Sequence, residues 1–241
     1  MSKKQNIIES TKDGLSTNTA IDGYTVLPAV PSSEVYLEDC TEALKRFDNN
    51  HFDLAIVDPP YGINASKGTW GSSNKGKVTN YGKKDWDKQP PSEEYFMELR
   101  RVSKNQIIWG GNYFGLPASS CWLVWDKLNS ADFADCELAW TSFNTAVRKF
   151  TWRWNGMLQQ NMKDKEIRIH PTQKPVALYD WILQNYAKEG DLILDTHLGS
   201  GSSRIAAYKG GFNFVGFEID ADYYEQSKKR FNAFKSQLRM F

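Results

Sequence analysis

The chain reads as an α/β domain built on a largely parallel sheet, and three stretches carry that reading. Leu54-Ala55-Ile56-Val57 and Leu192-Ile193-Leu194 are short unbroken apolar runs, the pattern of strands covered on both faces. The second run enters Gly199-Ser200-Gly201 and then a helical segment through Ala206 and Ala207. A third run, Phe214-Val215-Gly216-Phe217, completes a strand–helix–strand unit. With 241 residues the chain is long enough for one large domain with its own core.

Composition narrows the classes. Hydrophobic residues make up 40% and charged residues 24%, which is ordinary for a globular protein. The net charge of +1 does not announce a polyanionic partner, so any basic surface must be local. Cys40, Cys121 and Cys136 are odd in number and too scattered for a zinc site or a disulfide framework, which fits a reducing compartment. No apolar run approaches the ~18 residues of a membrane span. Met1 to Gly23 is polar and lacks an apolar signal core, so a cytoplasmic location is expected.

Taken in order, residues 1–34 form a polar N-terminal arm and 35–241 the folded domain. Val35-Tyr36-Leu37 is a short strand, and Thr41 to Phe47 a helix. Between them Asp39 either hydrogen-bonds a ligand or caps the helix, the cap being the commoner case.

The next strand, Asp53 to Val57, ends at Asp58-Pro59-Pro60-Tyr61-Gly62, because prolines lack the N–H a ladder needs. Its carboxyl end is where open α/β sheets bind ligands. Asp58 offers carboxylate acceptors, the Pro59 carbonyl is a second acceptor, and Tyr61 offers a flat face. Two acceptors beside one ring suit a planar heteroaromatic amine. Such an amine is a poor nucleophile, because its lone pair is delocalised into the ring. Holding its N–H groups out of plane frees the lone pair and stabilises the developing ammonium. Positioning and preorganised electrostatics then carry the step, with no metal or strong base required. The competing reading is a surface turn with Asp58 as its cap; the position after a buried strand favours the ligand site.

Residues 62–91 read as a lid loop. They hold five glycines, six lysines, and Trp70, Tyr81 and Trp86. Lysines interleaved with aromatics suit a phosphate backbone and exposed bases. Ser92 can cap the following helix, with Glu93 and Glu94 in its first turn and Arg100, Arg101 and Lys104 toward its end. Tyr95, Phe96, Leu99 and Val102 form its inward stripe. Strands follow at Gln106 to Trp109, Trp122 to Trp125 and Glu137 to Thr141.

In 143–169, basic residues (Arg148, Lys149, Arg153, Lys163, Lys165, Arg168) accompany Phe150, Trp152 and Trp154. The alternation over 150–154 reads as a hairpin strand. The segment is either a nucleic-acid grip or an amphipathic strand with solvated basic residues. His170-Pro171-Thr172-Gln173-Lys174-Pro175 then enters a helix with Leu178, Trp181 and Ile182 inward and Pro175 at its first position. The helix dipole does not favour Lys174 near a helix start, which hints at a ligand. His170 is more simply a structural hydrogen-bonder.

The second site lies at Leu192 to Ser203. Gly199 and Gly201 let the backbone approach a ligand. Glu218, ending the next strand 17 residues beyond Gly201, is placed for a ribose hydroxyl pair. The third glycine of the dinucleotide fingerprint and a Gly-Lys-Ser/Thr phosphate loop are both missing, which argues against NAD and ATP. A sulfonium nucleoside fits better. The last helix, Ala221 to Gln237, directs Tyr224, Phe231 and Phe234 inward and Lys228, Lys229 and Arg230 outward.

The ordered set of motifs over roughly 35–235 resembles the DNA amino-methyltransferases of adenine N6 or cytosine N4, in the permuted β class where the catalytic motif precedes the donor motif. The resemblance implies a single Rossmann-like domain with a seven-stranded, mostly parallel sheet and helices on both faces. It implies catalytic roles for Asp58, Pro59, Pro60 and Tyr61. It implies S-adenosyl-L-methionine as donor and S-adenosyl-L-homocysteine as product, held by Asp39, by Thr172, Lys174 and Pro175, by Asp195, His197, Gly199, Ser200, Gly201 and Ser202, and by Glu218. The strands ending at Asp58 and Asp195 should be neighbours. The acceptor implied is a flipped adenine in double-stranded DNA, in a restriction–modification setting. Cytosine N4, RNA, a protein glutamine, and a catalytically weak DNA-binding homologue are the alternatives. Residues 143–169 would be a short target-recognition segment, and pairing into a homodimer is common in the family. Thr196-His197 stands where the family has Pro-Phe, which predicts weaker or pH-sensitive donor binding.

Overall fold

In the computed structural model, which describes residues 30–63, 87–129, 134–155 and 158–238, the two apolar runs become adjacent strands at the centre of one sheet. The chain divides into Met1–Val30 and Pro31–Phe241. Most of the expected N-terminal arm and residues 64–86 of the expected lid lie outside the described residues.

The described residues of Pro31–Phe241 carry ten strands. They are β1 (Ser33–Leu37), β2 (Phe52–Val57), β3 (Ser103–Trp109), β4 (Trp122–Asp126), β5 (Cys136–Thr141), β6 (Arg148–Thr151), β7 (Trp154–Asn155), β8 (Leu158–Gln159), β9 (Leu192–Asp195) and β10 (Asn213–Glu218). The helices are α1 (Cys40–Leu44), α2 (Glu93–Val102), α3 (Val176–Tyr186), α4 (Ser202–Lys209) and α5 (Ala221–Leu238). Eight strands form one sheet in the order β1-β10-β9-β2-β3-β5-β4-β6, and β7 and β8 form a separate two-stranded ribbon. Pairing is parallel from β1 through β3; β5 runs antiparallel to both its neighbours, and β6 is parallel to β4.

β2 and β9 lie side by side, with Leu54 opposite Ile193 and Ala55 opposite Leu194. Successive side chains of β2 serve both faces. Leu54 and Ile56 pack with Leu178 and Ile182 of α3 and Ala206 and Ala207 of α4. Ala55 and Val57 pack with Leu44 of α1 and Tyr95, Leu99 and Val102 of α2. That two-sided cover is why both runs are continuously apolar. Ser92 caps α2 as its spacing predicts, accepting from the Tyr95 N–H at 3.2 Å. None of the described helices is long and apolar enough to cross a membrane.

Several expectations are corrected. The sheet has eight strands rather than seven, because Arg148–Thr151 adds at the β4 edge. Residues 150–154 are not one hairpin strand. β6 stops at Thr151, where Phe150 and Trp152 stack on each other at 5.9 Å, and only Trp154 enters the β7–β8 ribbon. Pro175, expected at the first helical position, is the N-cap of α3, one position before its first residue Val176. Trp181 packs against the core but stays half-buried, and the fully buried stripe of that helix is Leu178, Tyr179, Ile182 and Leu183.

In α5 the buried face is Tyr223, Ser227 and Phe231, an i, i+4, i+8 row displaced by one residue from the Tyr224-based stripe. Arg230 is therefore turned inward, against expectation. It donates to the Ser200 carbonyl (2.9 Å), the Ser202 hydroxyl (2.9 Å) and Glu166 (2.7 Å).

Candidate active site

Two cavities open at the carboxyl edge of the central strands and meet at Asp58. The first, ≈ 340 Å³, lies over the tips of β1, β9 and β10, among Asp39, Tyr95, His197, Gly199 and Glu218. The second, ≈ 580 Å³, lies over the tips of β2, β3 and the start of β5, among Tyr61, Tyr113, Lys127 and Glu137. Asp58, Pro60, Thr172 and Lys174 line both.

In the first cavity the turn after β9 is held by its own polar groups. Asp195 is buried and accepts from the His197 N–H (3.0 Å) and the Ser203 hydroxyl. Burial pushes its carboxyl up to about 7, against those two hydrogen bonds. Glu218 accepts the Gly199 N–H at 2.8 Å and the Asp220 N–H at 2.9 Å, one on each oxygen, and each oxygen keeps a further lone pair. Gly201 has φ +71°, a left-handed conformation that only glycine adopts freely, and it starts α4. Ser200 and Ser202 are buried beside it and share a hydrogen bond of 3.1 Å. Asp39 caps α1, accepting from the Thr41 and Glu42 N–H groups, and it also lines the cavity.

Thr196-His197 forms a polar string. The Tyr95 hydroxyl meets Thr196 Oγ1 at 2.6 Å, Thr196 Oγ1 meets His197 Nδ1 at 2.9 Å, and His197 Nε2 lies 3.9 Å from Cys40 Sγ. Burial lowers the His197 ring to about 4, so at neutral pH it is an uncharged ring packed edge-on to Tyr95 at 5.3 Å. This has a measurable consequence. A folded-state value below the unfolded one means that stability from the neutral ring is complete above the unfolded value and declines as pH falls from there toward about 4. His197→Phe should therefore change affinity for S-adenosyl-L-methionine, read by calorimetry, by the same ratio to wild type across the neutral range. The ratio should drift in favour of the variant only in acid. A ratio that drifts between neutral and mildly alkaline pH would contradict a neutral His197.

In the second cavity Tyr61 donates to Asp58 Oδ1 at 2.7 Å. Its ring lies against Gly110 and stacks on Tyr113 at 5.0 Å and 14°. The flat face expected of Tyr61 is thus one half of a ring pair whose outer member, Tyr113, is half exposed. Pro59 is buried, and Pro60 reaches both cavities. The two ends of the 62–91 loop are pinned together by the Gly62 N–H on Asp87 Oδ1 at 2.9 Å.

Lys174 is 3% exposed, and its ammonium sits 2.6 Å from Asp58 Oδ2 and 3.0 Å from Glu137 Oε2 while donating to the Tyr61 hydroxyl at 3.3 Å. Lys174 lines the first cavity, where the resemblance puts it, and its charge rests on the carboxylate at the meeting point. Thr172 bonds His170 Nδ1 through its N–H (3.3 Å) and hydroxyl (3.1 Å). Glu137, Lys127 and Tyr113 were missed. Glu137 opens an otherwise apolar strand and is paired in register with Trp125, two residues before Lys127; a charge in that position was the available signal. In 143–169 the aromatics turn inward, Trp154 donating to the Gln173 carbonyl at 2.8 Å, while Arg148, Lys149, Arg153, Lys163 and Lys165 stay exposed.

Adjacent strand tips thus feed two joined cavities in a sheet with one reversed strand, and solved DNA methyltransferases share this fold. The crystal structure of M1.HpyAVI in complex with SAM resembles this one with a TM-score of 0.53 at 18% identity, covering 83% of this chain and 98% of that one. The PvuII DNA methyltransferase (cytosine-N4-specific) resembles it with a TM-score of 0.54 at 15% identity, over 85% and 88%.

A family model described as DNA methylase matches residues 124–229, a span that holds the Gly199–Gly201 turn and Lys174 and begins after Asp58–Tyr61. The type II methyltransferase M2.DpnII of Streptococcus pneumoniae is 28% identical over 81% of this chain and 88% of its own length. M2.LlaDCHI of Lactococcus lactis subsp. cremoris is 27% identical over 80% and 87%, and M2.MboI of Moraxella bovis 24% over 85% and 92%. The chain is thus similar to DNA methylases over residues 124–229 and to type II methyltransferases over four fifths of its length.

Proposed function

We propose that this chain transfers the methyl group of S-adenosyl-L-methionine to the exocyclic N6 amine of an adenine flipped out of double-stranded DNA, as part of a restriction–modification system. The observation that carries the reading is the junction of the two cavities at Asp58. The similarity to type II methyltransferases, and to M1.HpyAVI described in complex with SAM, supports it.

The first cavity fits the donor. Its ≈ 340 Å³ is within the range of small-ligand sites. The free lone pairs of Glu218 suit a ribose hydroxyl pair, and Asp39 stands at the far strand tip. The donor supplies an electrophilic methyl on a sulfonium. Every other contribution comes from the chain. Asp58 and the Pro59 carbonyl accept the two amine N–H groups, and the Tyr61–Tyr113 ring pair receives the base after it leaves the duplex, at a cost of a few kcal/mol. Exposed Lys163, Lys165 and Arg153 meet phosphates, which set position rather than sequence.

Incubating the full chain with methyl-labelled donor and duplex DNA, RNA or bulk protein tests this. Label in DNA, released as N6-methyladenine on hydrolysis, is expected. N4-methylcytosine would move the assignment to the other base. Label confined to RNA or protein, or absent throughout while the donor binds, would overturn it.

A further inference from the structure

At the junction Asp58 ends a run of alternating charges whose other members the transfer step as described does not use. Lys127 pairs with Glu137 Oε1, Glu137 Oε2 lies 3.0 Å from Lys174 Nζ, and Lys174 Nζ lies 2.6 Å from Asp58 Oδ2. Four elements supply it: β5 brings Glu137, the end of β4 brings Lys127, the approach to α3 brings Lys174, and the tip of β2 brings Asp58. Lys174 is almost fully buried, with its ammonium 5.3 Å from the centre of the Trp109 ring. A lysine so placed is stable only if its charge is answered, and a single carboxylate would bind it as a closed pair.

We propose that Lys174 is the positioning residue that fixes the Asp58 carboxylate at the junction of the two cavities, and that Glu137, anchored by Lys127, is the counter-charge that keeps Lys174 from being consumed by Asp58 alone. This rests on the methyl-transfer reading and adds a role to two side chains outside the expected catalytic motif. The geometry divides the labour. One oxygen of Asp58 takes Lys174 and the other takes the Tyr61 hydroxyl, so the carboxylate cannot rotate and its remaining lone pairs face the cavities. As the N–CH₃ bond forms and the S–CH₃ bond breaks, the electron pair stays on sulfur. The nitrogen then passes one proton to Asp58, which returns it to water. For that, Asp58 must be ionised and aimed before the amine arrives.

The two carboxylates are pushed apart. Burial works against ionisation of both. Lys174 and Lys127 outweigh it at Glu137, which is held down to about 2. At Asp58 burial prevails over Lys174, aided by the Glu137 charge, and the carboxyl is raised. Tyr61, Tyr95, Tyr179 and Asp195 are the other titratable groups near Asp58; burial raises all three phenols well above their ordinary value, so they stay neutral. Environments that separate two neighbouring carboxyls in this way mark one as proton acceptor and the other as fixed charge.

The test is a comparison of Lys174→Met, Glu137→Gln and the double variant in the full chain, by single-turnover methylation of duplex DNA across pH with donor affinity measured by calorimetry. Lys174→Met leaves Asp58 without its cation while Glu137 keeps Lys127, so the acid limb of the rate should move up by about one to three pH units. Glu137→Gln, a neutral isostere that spares the fold, should move it down, and the double variant should return it toward wild type. Donor affinity should stay within about threefold in each, since a removed positioning contact acts on the transition state. Rate losses with no movement of the limb, or lost donor affinity with an unchanged rate, would overturn the proposal. If the wild type itself transfers no methyl to DNA, it is the functional reading that fails.

Discussion

Replacing Asp58 with alanine is expected to reduce methyl transfer by at least about 10²–10³-fold, the loss typical of removing one preorganised electrostatic partner from an active site. The carboxylate is the group that both cavities share, and the one to which Tyr61 and Lys174 are aimed. Without it the amine keeps its lone pair in the ring, and the departing proton has no acceptor at hand. Lys174 would retain Glu137, so the buried cation is not orphaned and the chain should still fold. Donor affinity should change little, because Glu218, Asp195 and the glycine turn are untouched. The measurement pairs single-turnover methylation of duplex DNA with calorimetric titration of the donor. A variant that still turns over within about tenfold of wild type would remove Asp58 from the chemistry.

Gly110→Ala should produce the second large effect, by a route that sequence motifs do not show. Gly110 has φ +67°, and a Cβ there would fall 2.2 Å from Tyr61 Cε1. The left-handed conformation alone costs about 1–2 kcal/mol with a side chain. The clash then forces the Tyr61 ring off its place, and with it the hydroxyl that holds Asp58 Oδ1. A displacement of about 1 Å at a reacting group is enough to cost on the order of 10²-fold in rate. Denaturant unfolding and single-turnover rates should therefore fall together, with donor affinity preserved. Gly115→Ala is the control: nothing lies within 4 Å of its Cβ, and it should leave both readings unchanged. Equal behaviour of the two variants would show that Tyr61 does not depend on this contact.

His197 illustrates how environment revises a residue's chemistry. Its identity suggested a titrating contact where the family carries an apolar one. Packed against Tyr95 and bonded to Thr196, it behaves near neutral pH as the uncharged ring it replaces. Lys174 illustrates a second point: its motif pointed to the donor, and its charge is set against the carboxylate that both cavities share.

What the sequence by itself determined is whatever lies within one strand–turn–helix unit. The apolar runs of β2 and β9, the Ser92 cap, the diproline stop and the glycine turn each depend on neighbours a few residues away, and they stand as read. The adjacency of β2 and β9 was an inference from resemblance, and the register of Leu54 on Ile193 supplies it physically. Tertiary structure alone decided the rest. Because β5 runs against its neighbours, its first residues lie at the edge where the parallel strands end, so Glu137 arrives beside Asp58 although 79 positions separate them. Spacing along the chain carries no trace of that reversal. The same holds for Tyr113 on Tyr61 and Arg230 on the Ser200 carbonyl: each is a contact between elements, set by packing two surfaces together rather than by any local pattern.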